Sequence, residues 1–320
     1  MTLRAALLLA ALLLAPGSAA HGQTPPVRLA VLGLSDVSLE GVRRWVVPAL
    51  AALGLKEGAG LVLDMRAGPQ AELDGLARAL LAARPTVVIT VSGSALVAMR
   101  AQTAVVPIIS FGPDPVLLGL AATLAQPGGN VTGVTIASQD LEAKRLSLLA
   151  EAMPGTAALG ALLLTASPGV VETEARLGAL AGRVGIRLRI YHAATPAEYA
   201  AVMQAAKQDG VAGLLIGANL VFARDAARII QAAGDAGLAT ICEWADMTAL
   251  GCMIGYGPDR RDLHLGLAGL LVRVLRGTPP AELPIQQPTT FEYFINQQTA
   301  RRLGLTLPAS VLIRADQVIE

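Results

Sequence analysis

The sequence is poor in the side chains that most often carry acid–base, metal or stacking chemistry. Its 320 residues include three histidines, two cysteines and 3% aromatic residues. The scarcity of rings disfavours a ligand site built on several stacked aromatics. A net charge of +1 offers no strongly basic surface of the kind that binds nucleic acids. The sequence therefore favours neither a nucleic-acid partner nor an aromatic cage.

Catalytic motifs are missing as well. The chain has no Gly-x-Ser-x-Gly elbow, no Gly-x-x-x-x-Gly-Lys phosphate loop and no His-Glu-x-x-His helix. No histidine lies at zinc-ligand spacing from a cysteine. We interpret His192 and His264 as surface or packing residues. We therefore expect no catalytic residues, no metal site and no cofactor.

Long apolar runs are absent beyond residue 20, although 53% of the residues are hydrophobic. A membrane-spanning helix needs about 20 consecutive apolar residues, so we expect a soluble protein with buried strands. The N-terminus differs, because Arg4 precedes the apolar run Ala5–Ala15 and the small residues Ser18-Ala19-Ala20. This layout predicts a secretory signal peptide over residues 1–22, cleaved after Ala20 or Gly22, and a periplasmic protein. The alternative is a membrane anchor.

The two cysteines, Cys242 and Cys252, lie close together in the sequence. In an oxidising compartment such a pair can form a disulfide. The alternative is a pair of separate buried thiols.

Predicted strands and helices alternate through most of the chain. Apolar strands at Val27–Leu34, Thr86–Val91 and Pro107–Phe111 are each followed by a helical pattern, and a similar series begins at Leu141. Such alternation predicts an α/β fold of two doubly wound parallel-sheet lobes. The proline-rich segment Pro279–Pro288 is predicted to be an extended linker.

Small polar residues follow several of the predicted strands, and Tyr256 lies between two glycines. In open α/β sheets ligands bind beyond the carboxyl ends of the strands, and helix N-termini there offer free N–H groups. The candidate ligand-binding residues are Ser35, Asp36, Ser92, Gly93, Ser94, Asp114, Thr165, Asn219, Glu243 and Tyr256, with Ser167 and Trp244 nearby. The alternative for Ser92, Asp114 and Asn219 is helix capping, with Asp114 capping a helix that begins at Pro115.

An ordered set of motifs resembles the substrate-binding proteins of a bacterial ABC-transporter family that includes tryptophan/tyrosine uptake proteins. The motifs are Gly112-Pro113-Asp114-Pro115-Val116, Gln126-Pro127-Gly128-Gly129-Asn130-Val131-Thr132-Gly133-Val134, Ala143-Lys144-Arg145-Leu146, Gly255-Tyr256-Gly257, Leu283-Pro284-Ile285-Gln286-Gln287-Pro288-Thr289 and Leu303-Gly304-Leu305-Thr306-Leu307-Pro308. The resemblance covers nearly the whole chain after the predicted signal peptide. Where family members commonly have Gly and Ser, this chain has Cys252 and Gly255. The added cysteine strengthens the disulfide hypothesis.

The resemblance implies a type I periplasmic-binding fold, in which three crossovers join two lobes that close over a ligand. We place the crossovers after Ile136, before Met253 and within Pro279–Pro288. The N-terminal lobe would then comprise residues 27–136 and 253–281, and the C-terminal lobe residues 137–252 and 282–320.

The function that follows from this resemblance is that of an exported, monomeric solute-binding protein that delivers a small polar ligand to an ABC permease. We expect an amino acid or similar carboxylate. Ser92, Gly93 and Ser94 would hold its carboxylate, with Asp114 or Glu243 facing its amino group. The alternatives are a sensory partner of a membrane receptor and, least favoured, an exported hydrolase or isomerase using Asp114 or Glu243.

Overall fold

The computed structural model describes residues 25–136, 138–165 and 170–320. The predicted signal peptide and Ser167 lie outside these residues. The described chain forms two sheets of mostly parallel strands, with helices packed on their faces. None of the helices in this part of the chain combines the length and apolar character needed to span a bilayer.

The first sheet has six strands in the order β2-β3-β1-β4-β5-β6. Its strands are β1 (Val27–Gly33), β2 (Lys56–Glu57), β3 (Gly60–Ala67), β4 (Val87–Val91), β5 (Ile108–Gly112) and β6 (Val131–Thr135). The helices around it are α1 (Asp36–Gly41), a π-helix (Val42–Val46), α2 (Val47–Ala52), α3 (Leu73–Ala82) and α4 (Gly93–Gln102), with 3-10 turns at Gln70–Glu72 and Pro280–Glu282. Every residue of β4 is buried, as expected for a central parallel strand covered on both faces.

The second sheet has seven strands in the order β13-β12-β11-β10-β9-β7-β8. These are β7 (Ala158–Leu164), β8 (Arg187–Ala193), β9 (Gly213–Ile216), β10 (Ala239–Cys242), β11 (Ile254–Pro258), β12 (Phe291–Asn296) and β13 (Gln317–Ile319). Only β11 and β12 pair antiparallel among its described strands. Its helices are α5 (Ser138–Ala152), α6 (Val170–Val184), α7 (Tyr199–Gln208), α8 (Leu220–Arg224) and α9 (Ala226–Ala236), and later α11 (Gln297–Arg302) and α12 (Ala309–Leu312), with 3-10 turns at Pro196–Glu198 and Ala245–Leu250. Helix α9 ends at Gly237, whose φ of 73° is the left-handed conformation that glycine adopts readily.

The second crossover lies later in the chain than the sequence analysis placed it. Strand β11 belongs to the second sheet, because it pairs with β10 on one side and β12 on the other. The chain returns to the first lobe only after Pro258, where the long helix α10 (Arg260–Leu275) packs against β5 and β6. The assignment of residues 253–258 to the N-terminal lobe was therefore wrong.

The proline-rich segment is part of the first sheet's edge as well as a crossover. The Gln286 amide donates to the Gly133 carbonyl at 2.9 Å, and the Thr135 amide donates to the Gln286 carbonyl at 2.9 Å. Leu283 and Ile285 are buried. The interpretation of this segment as a linker outside the core was wrong, because alternate apolar residues between its prolines pack against the first lobe.

The helix predicted from Pro115 is also absent from the described structure. Residues 115–121 form successive turns, in which the amides of Leu120 and Ala121 both donate to the Pro115 carbonyl. Gly119, with a φ of 69°, takes the left-handed conformation that interrupts a helix.

Candidate ligand-binding site

The strand ends of the first lobe bring three predicted loops together. Gly33 pairs with Val91, and Val91 pairs with Phe111, so the loops that follow β1, β4 and β5 emerge side by side. A Cβ built on Gly93 would lie 3.8 Å from Cβ of Pro113, which puts two of the loops in contact. Ser35, Ser92 and Asp114 therefore lie along one carboxyl edge of the sheet.

Ser92 occupies an unusual backbone conformation at this edge. Its φ of 141° and ψ of 162° lie in a region populated almost only by glycine. The Ser92 hydroxyl accepts a hydrogen bond from the Ala95 amide at 3.0 Å and so caps α4. A non-glycine residue held there costs about 1–3 kcal/mol, and such strain is concentrated at ligand-binding and active sites. Gly93 and Ser94 follow in the first turn of α4, half-buried.

Asp114 and Ser35 in the first lobe have local partners, whereas the Asp36 side chain has none among the described residues. Asp114 Oδ1 accepts from the amides of Val116 at 2.8 Å and Leu117 at 3.4 Å, so this carboxylate caps a turn. The Ser35 carbonyl accepts from the Ser38 hydroxyl at 2.6 Å. Asp36 is exposed at the start of α1.

The second lobe has an equivalent carboxyl edge, formed by β7, β9 and β10. Leu162 pairs with Ile216, and Leu215 pairs with Ile241. Asn219 caps α8 by accepting from the Phe222 amide at 2.8 Å. Thr165 is exposed after β7, and only its backbone amide has a described partner, the Ala193 carbonyl at 3.1 Å.

Glu243 is the candidate residue with the most unusual environment. It follows β10 and is only 8% exposed, yet its carboxylate has no hydrogen bond among the described residues. Burial raises the pKa of Glu243 to about 7, with Arg145 opposing the rise and Glu142 adding to it. A carboxyl group in this state can hold or release a proton near neutral pH.

Two charged residues beside Glu243 were not among the sequence candidates. Arg145 is 0% exposed and donates from Nε to the Tyr256 carbonyl at 2.7 Å. Glu142 is 6% exposed and accepts from the Ala218 amide at 2.9 Å. Both residues lie in α5, which also carries the motif Ala143-Lys144-Arg145-Leu146. Only the folded structure brings α5 against the ends of β9 and β10.

Gly257 permits this arrangement by its lack of a side chain. A Cβ at Gly257 would lie 2.0 Å from the Glu243 carbonyl oxygen, which itself accepts from Arg145 Nη2 at 3.3 Å. Any larger residue at position 257 would displace the peptide that carries Glu243.

Tyr256 packs within the second lobe. Its ring stacks on Phe291 at 6.1 Å between centroids and meets Tyr293 edge-on at 6.0 Å. Trp244 has the Arg260 guanidinium 5.4 Å from its ring. That guanidinium is also 5.7 Å from the ring of Trp45 in the first lobe, so it lies between the chain's two tryptophans.

A disulfide joins Cys242 to Cys252, with their Cα atoms 6.5 Å apart. Both residues are buried. The loop that it closes carries Glu243, Trp244 and Asp246 at the strand edge. Asp246 forms an ion pair with Arg260 at 3.3 Å.

Both histidines in the described part of the chain, His192 and His264, have local partners. His264 is buried, with its ring 4.2 Å from Phe111 and 5.0 Å from Trp45 between centroids. Burial lowers the pKa of His264 to about 4. The Nε2 atom of His192 lies 2.8 Å from Oε1 of Glu174. Among the described residues, no group of three or more His, Cys, Asp or Glu side chains could hold a metal ion.

The two carboxyl edges face each other. Helix α1, which follows β1, contacts α8, which follows β9. Together with Arg260, which lies near both Trp45 and Trp244, this contact brings the two carboxyl edges to the interface between the lobes.

A family model described as ABC transporter substrate binding protein matches residues 30–319. The chain belongs to this family. Members of this family bind solutes and do not form a class of enzymes. No curated protein matches this substrate-binding protein.

Solved structures share the fold. A conserved domain protein from Vibrio cholerae is 25% identical, with a TM-score of 0.84 over 91% of this chain and 99% of its own. An ABC domain from Streptococcus pneumoniae in complex with L-Trp is 23% identical, with a TM-score of 0.82 over 92% of this chain and 100% of its own. A ligand-free, open substrate-binding protein with adhesive properties from Clostridium difficile is 19% identical, with a TM-score of 0.68 over 92% and 99%.

Proposed function

We propose that this protein is an exported receptor that captures an amino acid, or a similar small carboxylate, between its lobes and delivers it to an ABC permease. Its working site would be the periplasm and its working form a monomer, with closure of the lobes as a hinge motion about the crossovers. The L-Trp complex of the Streptococcus pneumoniae relative supports the ligand class.

The observation that carries the proposal is the backbone of Ser92. Its glycine-like φ of 141° directs the chain into the N-terminus of α4 at the carboxyl edge of the sheet. Free N–H groups at such a helix N-terminus bind anions, here the ligand carboxylate, together with the Ser94 hydroxyl. Asp114 and Glu243 are the candidates for the ligand's amino group. Asn219, Thr165, Ser35 and Asp36 would line the remaining edge.

The test is a thermal-shift screen of the purified mature protein against amino acids, other carboxylates and sugars, followed by calorimetry on each hit. We expect at least one amino acid or other carboxylate to raise the unfolding temperature of the protein. The variant Gly93→Pro removes one free N–H at the first helical position, where proline is compatible with a helix. It should weaken binding of the hit, and the exposed control Gly75→Ala in α3 should leave binding unchanged. If nothing in the screen stabilises the protein, the proposal is wrong.

A further inference from the structure

The second lobe buries three charged side chains whose polar atoms are not all used. The Arg145 guanidinium donates through Nε and Nη2 to two backbone carbonyls, and its Nη1 has no partner among the described residues. Glu142 accepts through Oε1, and its buried Oε2 has no described partner. The Glu243 carboxylate makes no described hydrogen bond at all. Buried polar atoms are normally paired, so unpaired atoms at a strand edge call for a partner that a ligand group would supply.

The charges of these three side chains indicate what kind of ligand group the site needs. Glu142 and Glu243 carry two negative charges against the single positive charge of Arg145. Arg260 also acts on Glu243, but its guanidinium is engaged by Asp246 and by the two tryptophan rings. A buried excess negative charge is costly, so the site either retains a proton or receives a cation.

Both carboxylates lie at the carboxyl edge of the second sheet, on the side where the two lobes meet. Glu142 bonds to the amide of Ala218, directly after β9, and Glu243 directly follows β10. These strands are neighbours in the sheet, and Asn219 caps α8 at the same edge.

Asp114, the other candidate for an amino group, is less suited to a cation. Its Oδ1 already accepts from the amides of Val116 and Leu117, and it is only half-buried. Its charge is therefore satisfied locally, whereas the charges of Glu142 and Glu243 are not.

We propose that Glu142 and Glu243 form one cation subsite, positioned by Arg145, which takes the ligand's ammonium group and releases a proton as that group enters. This inference rests on the proposed function and assigns the residues that bind the cationic group of the ligand. The proton comes from the shared carboxyl pair and goes to solvent, and the ammonium group replaces its charge.

The pH dependence follows from the groups around Glu243. These are Glu142 and Arg145 of α5, Arg260 of α10, Tyr256 of β11 and Asp246 in the loop after β10. Burial holds the pKa of Glu243 near 7, so the carboxyl is largely protonated below that pH. Binding of a cation should therefore strengthen as the pH rises from 6 to 8.

The experiment compares matched probes on the mature protein. The proteinogenic L-amino acid that binds most tightly is paired with its deaminated analogue, for example L-leucine with 4-methylpentanoate or L-tryptophan with indole-3-propionate. We expect the deaminated probe to bind about tenfold to a hundredfold more weakly, since a hydrogen bond to a charged group is lost. Calorimetry at pH 7 in buffers of different ionisation enthalpy should show proton release on binding of the amino acid.

The variants Glu243→Gln and Glu142→Gln preserve shape and remove charge. Each should weaken binding of the amino acid, and Glu243→Gln should abolish the proton release, while the exposed control Glu57→Gln should behave like the wild type. If the deaminated probe binds as tightly as the amino acid, or if proton release persists in Glu243→Gln, this inference is wrong and the proposed function stands. If no amino acid or other carboxylate binds, both are wrong.

Discussion

The two carboxyl edges of this protein present opposite chemistries. The first lobe offers hydroxyls, backbone N–H groups and a strained Ser92 at a helix N-terminus, and its Asp114 is satisfied locally. The second lobe buries Glu142, Arg145 and Glu243 with unpaired polar atoms. A surface rich in hydrogen-bond donors suits an anion, and a buried negative pair suits a cation. Under the proposed function, the first edge would take the carboxylate of an amino acid and the second edge its ammonium group.

The largest effect on stability is expected when a buried charge of the second lobe is removed. Arg145→Met leaves two buried carboxylates without their cation, and we expect a loss of about 3–5 kcal/mol in the free energy of unfolding. Urea unfolding at pH 8 measures it, with the exposed Arg301→Met as control. Adding Glu142→Gln and Glu243→Gln should recover much of the loss. If Arg145→Met lowers the free energy of unfolding only slightly, the buried carboxylates of the second lobe do not depend on Arg145 for charge compensation.

The disulfide is the next largest contribution to the same edge. Its cysteines are 10 residues apart, so the chain-entropy model assigns about 2–3 kcal/mol to the bond. Replacing both cysteines by alanine should lower the free energy of unfolding by that amount and weaken binding of ligand through the loop that carries Glu243. Dithiothreitol should reproduce the loss in the wild type and change nothing in the double variant.

The pH dependence of stability should separate the lobes as well. The pKa of Glu243 is raised in the folded state to about 7, so its stabilising contribution is complete below the unfolded value of 4.5 and is lost as the pH rises through 7. Between pH 4.5 and pH 8, the free energy of unfolding of the wild type should fall by about 1–3 kcal/mol more than that of Glu243→Gln. Urea unfolding of both proteins across this range measures the difference. Parallel curves would contradict the raised pKa.

The smallest effect concerns the backbone of the first lobe. Ser92→Gly removes a helix cap but relieves a conformation that glycine adopts without cost, whereas Ser92→Ala removes the cap and keeps the strain. We expect the alanine variant to be less stable than wild type by about 1 kcal/mol and the glycine variant to be more stable than the alanine variant by about 1–3 kcal/mol. Thermal unfolding compares them, and equal stabilities would show that Ser92 is not strained.

Much of the architecture was predictable because it depends on local patterns. Buried β-branched runs such as Thr86–Val91, separated by helical periodicity, predicted two parallel sheets, and the structure has them. The antiparallel pairing of β12 with β11, the return of Gln286 to the first sheet and the turns after Asp114 were not predictable in the same way. They depend on partners far along the chain, as in the hydrogen bonds between Gln286 and residues 133 and 135.

The sequence by itself determined the strand ends, the caps at Ser92 and Asn219, and the spacing of Cys242 and Cys252, because each follows from residues adjacent in the chain. Only the tertiary structure decided which charges share a site. Arg145 lies 98 residues before Glu243, and the two meet because α5 packs across the ends of β9 and β10. Burial and charge pairing depend on that packing, so the negative edge of the second lobe was not evident before the chain was folded.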